Sequence, residues 1–336
     1  MSRAWIAGAQ RTLVRRTAQV GEWPARLSSV PYVRPLAALA GTTLVITVSW
    51  GAWRSADLEG LPVWALIGVG LGMMPIVLAL NGAEFRTQAS MVGVHLGWAE
   101  TARYVGQASV ANMLPLPGGP VLRHRVLATR GASQRLAIRA QLMTAIWWLA
   151  AGLVVSGVAF VVASARWWLG LAMVALGVLL AVVGWTMRPK GRAGVGAEAG
   201  RLAAIEVATV VTGALRFWAV AVLIGASLDA AGALSMAFTT PAAAALGIFP
   251  SGIGVREALI GGAAKVILAD ASMLFLAATI ERVVSLVAAV PLLTWSLWGG
   301  RRGARTPAAD GGISGGAEPG DRRADDADPT PRALGR

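Results

Sequence analysis

The sequence has no cysteine and only two histidines, which excludes several kinds of chemistry. Without cysteine there is no disulfide framework, no thiolate metal site and no cysteine nucleophile. The histidines, His95 and His124, lie far apart in the sequence and belong to no group with the spacing of metal ligands. We therefore expect neither a metal site nor a cofactor.

Acidic residues are also scarce, with 17 Asp and Glu against 30 Lys and Arg, for a formal net charge of +13. A basic chain can bind nucleic acid, but here the basic residues are divided among short segments between apolar runs. No soluble portion has a basic face interleaved with aromatic residues. We expect no nucleic-acid partner, because this distribution is the one that the positive-inside rule produces in membrane proteins.

The signatures of common enzymes are missing too. The sequence has no Walker motif, no nucleophile elbow and no HExxH, and no hydrophilic block is large enough for a catalytic domain. We expect the protein not to be an enzyme.

What the sequence has in abundance is apolar residues, which make up 56% of the chain. This is more apolar surface than one soluble core could bury, so the bilayer is the expected solvent.

Six segments have the apolarity and the length, about 20 residues, of a membrane-spanning helix. Several tryptophans fall near their ends, as in the aromatic belts of membrane proteins. Before the first span lies an arginine-rich segment in which we expect no cleaved signal peptide. The six segments are Pro35–Trp53, Pro62–Leu80, Ala140–Ala163, Trp167–Met187, Ala204–Leu228 and Ser272–Trp298.

Two further apolar segments are broken by prolines and glycines. Met91–Leu122 is interrupted by Leu-Pro-Leu-Pro-Gly-Gly-Pro, and Leu234–Leu268 by Phe-Pro-Ser-Gly-Ile-Gly. Both breaks read Pro, small residue, Gly, two variable residues, aliphatic residue and Arg, and they end at Arg123 and Arg256. Paired breaks of this kind are the best sequence indication of a transporter site built from inverted repeats.

The arginines near the spans predict the topology. Residues 1–34, 123–139 and 188–203 and the exit of the last span are basic and are expected in the cytoplasm. Residues 81–90 follow two spans and are expected there too, which leaves about 32 residues before position 123, too few for two crossings of about 20 residues each. The first broken segment must therefore enter the membrane and return to the cytoplasmic side. The same count of basic residues places both ends of the second broken segment outside, so that segment enters the membrane from the opposite face.

We therefore predict an all-α polytopic membrane protein with about six full spans and two oppositely oriented re-entrant helical hairpins that form an inverted repeat. Residues 1–34 are predicted to be a cytoplasmic basic segment, and residues 35–300 the transmembrane domain. Residues 301–336, poor in large apolar residues, are predicted to be a disordered cytoplasmic tail. The expected location is the cell inner (plasma) membrane, with both termini in the cytoplasm.

The two breaks carry the candidate binding site. Proline bends the chain, and glycine lets a ligand approach the backbone closely. The helix that resumes after each break presents N–H groups, and its arginine adds a planar fork suited to phosphate or carboxylate. Two such ends facing each other would bind an anionic lipid headgroup. The residues concerned are Pro117, Gly118, Gly119, Arg123, Pro250, Gly252, Gly254, Arg256 and Glu257.

Alternatives remain open for these residues. Pro/Gly kinks are common in spanning helices, and an arginine at a helix end can simply extend to the interface. Glu257 could pair with Arg256, bind a cationic headgroup or be exposed at the surface.

Other charges lie within the apolar segments. Arg216, Glu281 and Arg282 are the deepest, and ionisable residues at membrane depth usually face a cavity or one another. We add these three to the candidate site. For Glu206 and Arg103, a position near the membrane interface is the simpler interpretation.

The stretch Asn112-Met-Leu-Pro-Leu-Pro-Gly-Gly leading to Arg123, and the later Phe-Pro-Ser-Gly-Ile-Gly-Val-Arg-Glu ending at Glu257, resemble motifs of the flippase-like integral membrane family. That family includes the transmembrane region of lysylphosphatidylglycerol synthases and stand-alone proteins of the YbhN type. The resemblance covers roughly residues 35–300 and implies movement of lipid between leaflets. The synthase reaction is not expected, because no aminoacyl-transferring domain follows residue 300. The binding residues carried over are Asn112, Pro117, Gly119, Arg123, Pro250, Gly252, Gly254, Arg256 and Glu257.

The leading hypothesis is a lipid transporter or flippase that binds the headgroup of a membrane phospholipid or polyprenyl-phosphate lipid. A second hypothesis is a membrane subunit that docks and regulates a separate lipid- or glycan-modifying enzyme. A third is an intramembrane enzyme that uses Glu257 or Glu281 as an acid or base, which would need a second catalytic group near by. A headgroup bound between the two breaks would favour the first.

Overall fold

A computed structural model describes residues 62–111, 118–164, 166–189, 194–246 and 254–303, together with Thr43, Thr47, Trp50 and Arg54. Over these residues the chain is helical and contains no strand. The helices of this part are α1 (Val63–Met91), α2 (Trp98–Ala111), α3 (Gly118–Thr129), α4 (Gln134–Ala163), α5 (Trp167–Thr186), α6 (Val195–Leu223), α7 (Ala230–Ser235), α8 (Thr239–Leu246), α9 (Val255–Val266) and α10 (Ala271–Gly303).

Four of the described helices, α1, α4, α5 and α6, are long and apolar enough to cross a membrane. In the most apolar 18-residue stretches of α1 and α5, only 11% and 17% of the residues are buried inside the protein. The buried residues of α5 are Gly170, Gly177 and Gly184, so its large apolar side chains face outward. So much exposed apolar surface is typical of contact with lipid, and these helices indicate a membrane protein.

The predicted all-helical class is therefore confirmed for the described residues, with four helices that could cross a membrane. Four predicted spans overlap the four apolar helices, and the predicted span Ser272–Trp298 lies within the continuous helix α10. Apart from three residues, the predicted span Pro35–Trp53 lies outside the described part of the chain. The number of spans and the membrane side of each connection stay predictions.

The end of α1 differs from the sequence prediction. The apolar run ends at Leu80 and predicts a connection over residues 81–90, but the helix continues to Met91. Glu84, Thr87 and Gln88 are buried in this last part of the helix. The chain leaves the helix at Gly93, whose φ is 88°, and the Val94 N–H donates to the Ala89 carbonyl in a glycine-ended C-cap. Hydropathy fails here because these polar side chains are buried inside the protein.

Helices α4 and α5 form an antiparallel pair with direct backbone contact. A Cβ on Gly170 would lie 2.5 Å from the Gly157 carbonyl oxygen, and a Cβ on Gly177 would lie 2.9 Å from the Ala150 carbonyl oxygen. Small residues let membrane helices approach in this way. The glycines of α5 therefore fix the position of α4, which in turn packs against α6.

This contact predicts a stability difference between two Gly→Ala variants. Gly170→Ala should lower the free energy of unfolding by about 1–3 kcal/mol, because the added Cβ forces the two backbones apart. Gly200→Ala in α6 is the control, since a Cβ there meets no atom within 4 Å. It should be neutral or stabilising by up to about 1 kcal/mol, the helix-propensity gain. Chemical unfolding of both purified variants measures the difference, and equal stabilities would contradict this packing.

The helices on either side of each predicted break contact each other. Helix α2 contacts α3 across residues 112–117, and α8 contacts α9 across residues 247–253. Helices α1, α6 and α10 also pack on one another. The charged side chains that follow the two breaks are thus placed against long apolar helices.

Candidate functional site

A buried group of charges lies where α6, α9 and α10 meet. Glu281 on α10 is 1% exposed, accepts a hydrogen bond of 2.5 Å from Arg256 Nη1 on α9, and forms an ion pair with Arg216 on α6. The neighbouring residues form a second pair, in which Glu257 Oε1 lies 2.9 Å from Arg282 Nη2. We call these five residues the arginine-rich cluster. Two adjacent residues of α9 therefore pair with two adjacent residues of α10.

Glu257 also holds the beginning of α9. The N–H of Gly254 donates to Glu257 Oε2 at 2.8 Å, and Gly254 has a φ of 82°, a conformation that favours glycine. The carboxylate thus satisfies a donor at the end of the helix where negative charge is favourable. Glu257 is fully buried, so surface exposure is the wrong interpretation of this residue. Its partners are Arg282 and the backbone of its own helix.

A cavity of about 220 Å³ lies beside the arginine-rich cluster. Arg216 and Arg256 line it together with three threonines and several apolar residues. The Nε atoms of both arginines are buried and have no hydrogen-bond partner in the described part of the chain. Because a guanidinium carries five N–H donors, binding to Glu281 leaves both arginines with donors for a ligand.

The charges of the arginine-rich cluster do not cancel. Three arginines and two glutamates leave one positive charge when all five are ionised. A single uncompensated charge at membrane depth costs roughly 3 kcal/mol or more. An anion in the adjacent cavity would offset this charge and bind to donors that the protein leaves unused.

A second group of charges lies between α1, α3 and α6. Arg123 on α3 forms an ion pair with Glu84 on α1, and its guanidinium carbon lies 5.6 Å from the centre of the Phe85 ring. Glu206 on α6 is 2% exposed and interacts electrostatically with both Glu84 and Arg123. We call Glu84, Arg123 and Glu206 the glutamate-rich cluster. The cluster has one arginine and two glutamates, so the formal charge of the cluster is −1 when all three are ionised.

The two clusters share one arrangement. In each, the arginine that ends a predicted Pro/Gly motif pairs with a buried glutamate on a long helix, Arg123 with Glu84 and Arg256 with Glu281. Helix α6 contributes to both clusters through Glu206 and Arg216, which are about 15 Å apart at 1.5 Å rise per residue. The order along the chain differs, because Glu84 precedes Arg123 whereas Glu281 follows Arg256. The two motifs thus share a kind of contact but not its position in the chain.

The structure distributes the predicted site residues over these two clusters. Arg216, Arg256, Glu257, Glu281 and Arg282 form the arginine-rich cluster with Gly254 next to it, whereas Arg123 belongs to the glutamate-rich cluster. Gly118 begins α3, and Gly119 is buried in its first turn. Four predicted residues lie outside the described part of the chain. These are Asn112, Pro117, Pro250 and Gly252.

The arginines of the two motifs do not simply extend to the membrane surface. The side chains of Arg123 and Arg256 are 16% and 12% exposed, and each is paired with a glutamate that is at least nine-tenths buried. Glu206 is also buried inside the protein, and its depth in the membrane stays a prediction. These charges therefore belong to the interior of the protein.

Sequence analysis missed Glu84 altogether. It lies in the polar stretch after Leu80, which hydropathy assigns to a connection. The signal that could have found it is helical spacing, because Glu84, Gln88 and Met91 continue one face of α1 and all three are buried. A second indication of Glu84 is that it is the one acidic residue of 81–90, a segment expected to face the cytoplasm, where basic residues prevail.

Comparison with known proteins identifies no relative: no protein-family model matches the chain, and no curated protein matches it. The resemblance to the flippase-like family therefore rests on the two sequence motifs and stays a prediction.

Proposed function

We propose that the protein is an integral membrane lipid transporter that binds an anionic lipid headgroup in the cavity beside the arginine-rich cluster. The observation that carries the proposal is that Arg216 and Arg256 share the single carboxylate of Glu281 and line this cavity. Guanidinium groups match the geometry of phosphate oxygens and bind them with paired hydrogen bonds. One phosphodiester also offsets the positive charge that the cluster retains.

A lipid is the natural source of such an anion. The cavity is lined by apolar side chains such as Trp148, Phe217 and Met236 in addition to its arginines and threonines. Such a site offers one charged end for a headgroup and apolar contacts for the carbon atoms next to it. Phospholipids and polyprenyl-phosphate lipids both have this combination.

We propose the full predicted topology together with this function: six spans, two re-entrant hairpins of opposite orientation and an inverted repeat, in the inner (plasma) membrane with both termini in the cytoplasm. The contacts of α2 with α3 and of α8 with α9 support the hairpins. The shared spacing of the two Pro/Gly motifs supports the internal repeat. Rocking of one repeat against the other would then expose the headgroup site to each leaflet in turn.

Removing one arginine of the cavity should weaken lipid binding without unfolding the protein. Arg216→Gln leaves the Arg256–Glu281 pair in place but removes a charged donor, so affinity for phosphatidylglycerol should fall at least about tenfold. Native mass spectrometry of the purified protein with added lipid measures this affinity. Arg130→Gln is the control, because Arg130 is 45% exposed on its side chain and pairs with a partly exposed Glu100. Equal affinity of the two variants would contradict the proposed site.

A further inference from the structure

Glu206 is a buried carboxyl group with an unused oxygen. It lies in the middle of α6, and its Oε1 has no hydrogen-bond partner in the part of the chain that the structure describes. The charged groups that act on it are Glu84 and Arg123. Arg123 already forms an ion pair with Glu84, so Glu206 has no arginine of its own among the described residues. This contrasts with Glu281, which pairs with two arginines.

Other helices packed against α6 direct their charges elsewhere. On α10, Glu281 and Arg282 are paired within the arginine-rich cluster, and α7 has no charged residue. On α4, Arg135 is exposed and Arg139 donates to the Thr186 carbonyl of α5. His124 follows Arg123 on α3, and its Nδ1 is buried without a hydrogen-bond partner among the described residues. Arg86, the other charged residue of α1, lies 4.6 Å from the centre of the Trp98 ring, and Arg201 of α6 lines a separate cavity with it. Among the described residues, Arg123 is the cation that forms an ion pair within this cluster.

The glutamate-rich cluster lacks one positive charge to be neutral. With all three residues ionised, the glutamate-rich cluster has two negative charges and one positive charge inside an apolar helix packing. Two carboxylates that share one site do not both ionise readily, and an uncompensated buried charge is costly. One proton on the Glu206 carboxylate makes the cluster neutral and leaves the Arg123–Glu84 pair intact.

A second cavity provides space for a proton to arrive. It has a volume of about 140 Å³ and lies between α1 and α6, lined by Ala83, Arg86, Thr87, Glu198 and Arg201 among others. Ala83 precedes Glu84 on α1, and Thr87 follows it by three residues, so the cavity lies against the same turn of the helix. A space of this size with polar walls can hold several water molecules near the cluster.

We propose that the glutamate-rich cluster is a proton-binding site and that Glu206 is the carboxylate that gains and releases the proton. The proton adds to a carboxylate oxygen of Glu206 and leaves again as a hydronium ion, with no other bond made or broken. The biological role, driving lipid transport with a proton gradient, rests on the proposed function. Because α6 carries both Glu206 and Arg216, movement of this helix links the proton site to the headgroup site.

Infrared spectroscopy tests proton binding without any transport measurement. At neutral pH, the purified wild-type protein should show the carbonyl stretch of a protonated carboxylic acid, and Glu206→Gln should lack it. Glu100→Gln, which changes a partly exposed carboxylate, should keep the band. A wild-type spectrum without any protonated-acid band overturns the proposal, whether or not the variant folds. So does a band that persists in a folded Glu206→Gln protein.

Liposomes separate this proposal from the proposed function. A pH gradient should accelerate lipid movement in the wild type but not in Glu206→Gln. An infrared band without any lipid movement would support the proton site and contradict the transporter. Lipid movement without the band, and unaffected by the gradient, would support the transporter and overturn the proton site.

Discussion

Replacement of Glu281 by glutamine should destabilise the protein by about 3–5 kcal/mol, the largest effect that we expect from a single substitution. Glu281 is the shared partner of Arg216 and Arg256, so its neutralisation leaves two buried guanidinium groups without a counter-ion. Glutamine keeps nearly the same size, and the loss can therefore be assigned to charge. Chemical unfolding of the purified protein in detergent, followed by tryptophan fluorescence, gives the free energy of unfolding.

The matched control for this variant is Glu100→Gln. Glu100 also pairs with an arginine, but the side chains of Glu100 and Arg130 are 29% and 45% exposed. Exposed ion pairs contribute about 1 kcal/mol or less. If both variants lose the same stability, the buried position of Glu281 between the two arginines is not correct.

The second large effect concerns Arg123. Arg123→Gln should cost about 3–5 kcal/mol, because the buried Glu84 carboxylate then loses its counter-ion. Adding Glu84→Gln to this variant should recover part of the loss, since the second substitution removes the buried carboxylate that the first leaves unpaired. The unfolding free energies of the wild type, the two single variants and the double variant give the coupling energy directly.

We expect a coupling energy of about 1–3 kcal/mol between Arg123 and Glu84. Independent residues would show additive losses, with a double variant as unstable as the sum of the two single variants. Additivity within about 0.5 kcal/mol would therefore contradict the pairing of α3 with α1 through these side chains.

The sequence was sufficient for the apolar helices and for the deep charges. Long apolar runs with tryptophans near their ends predict α4, α5 and most of α6. These runs are easy to recognise because side chains that face lipid must be apolar along the whole length of a spanning helix. Arg216, Glu281 and Arg282 were selected because charge is rare at membrane depth, and the structure joins all three in one cluster. These features depend on single segments, which is why the sequence reveals them.

Features that depend on several segments could not be predicted. The continuation of α1 through Glu84 and Gln88 depends on other helices that cover those polar side chains, and hydropathy does not include such contacts. The pairing of Glu257 with Arg282 also required knowledge of how α9 and α10 align, because Arg256 is next to Glu257 in the sequence. The sequence motif predicted where the arginines lie, but not that each has a buried glutamate as its partner.

Transbilayer movement of a fluorescent phosphatidylglycerol in liposomes tests the central claim most directly. Dithionite added outside quenches only the outer leaflet, so further quenching reports lipid that the reconstituted protein has moved. We predict rapid further quenching for the wild type and for Arg130→Gln, and much slower quenching for Arg216→Gln. Wild-type protein that behaves like empty liposomes with phosphatidylglycerol, phosphatidylcholine and polyprenyl-phosphate analogues alike would contradict a transporter and favour a subunit that docks a separate enzyme.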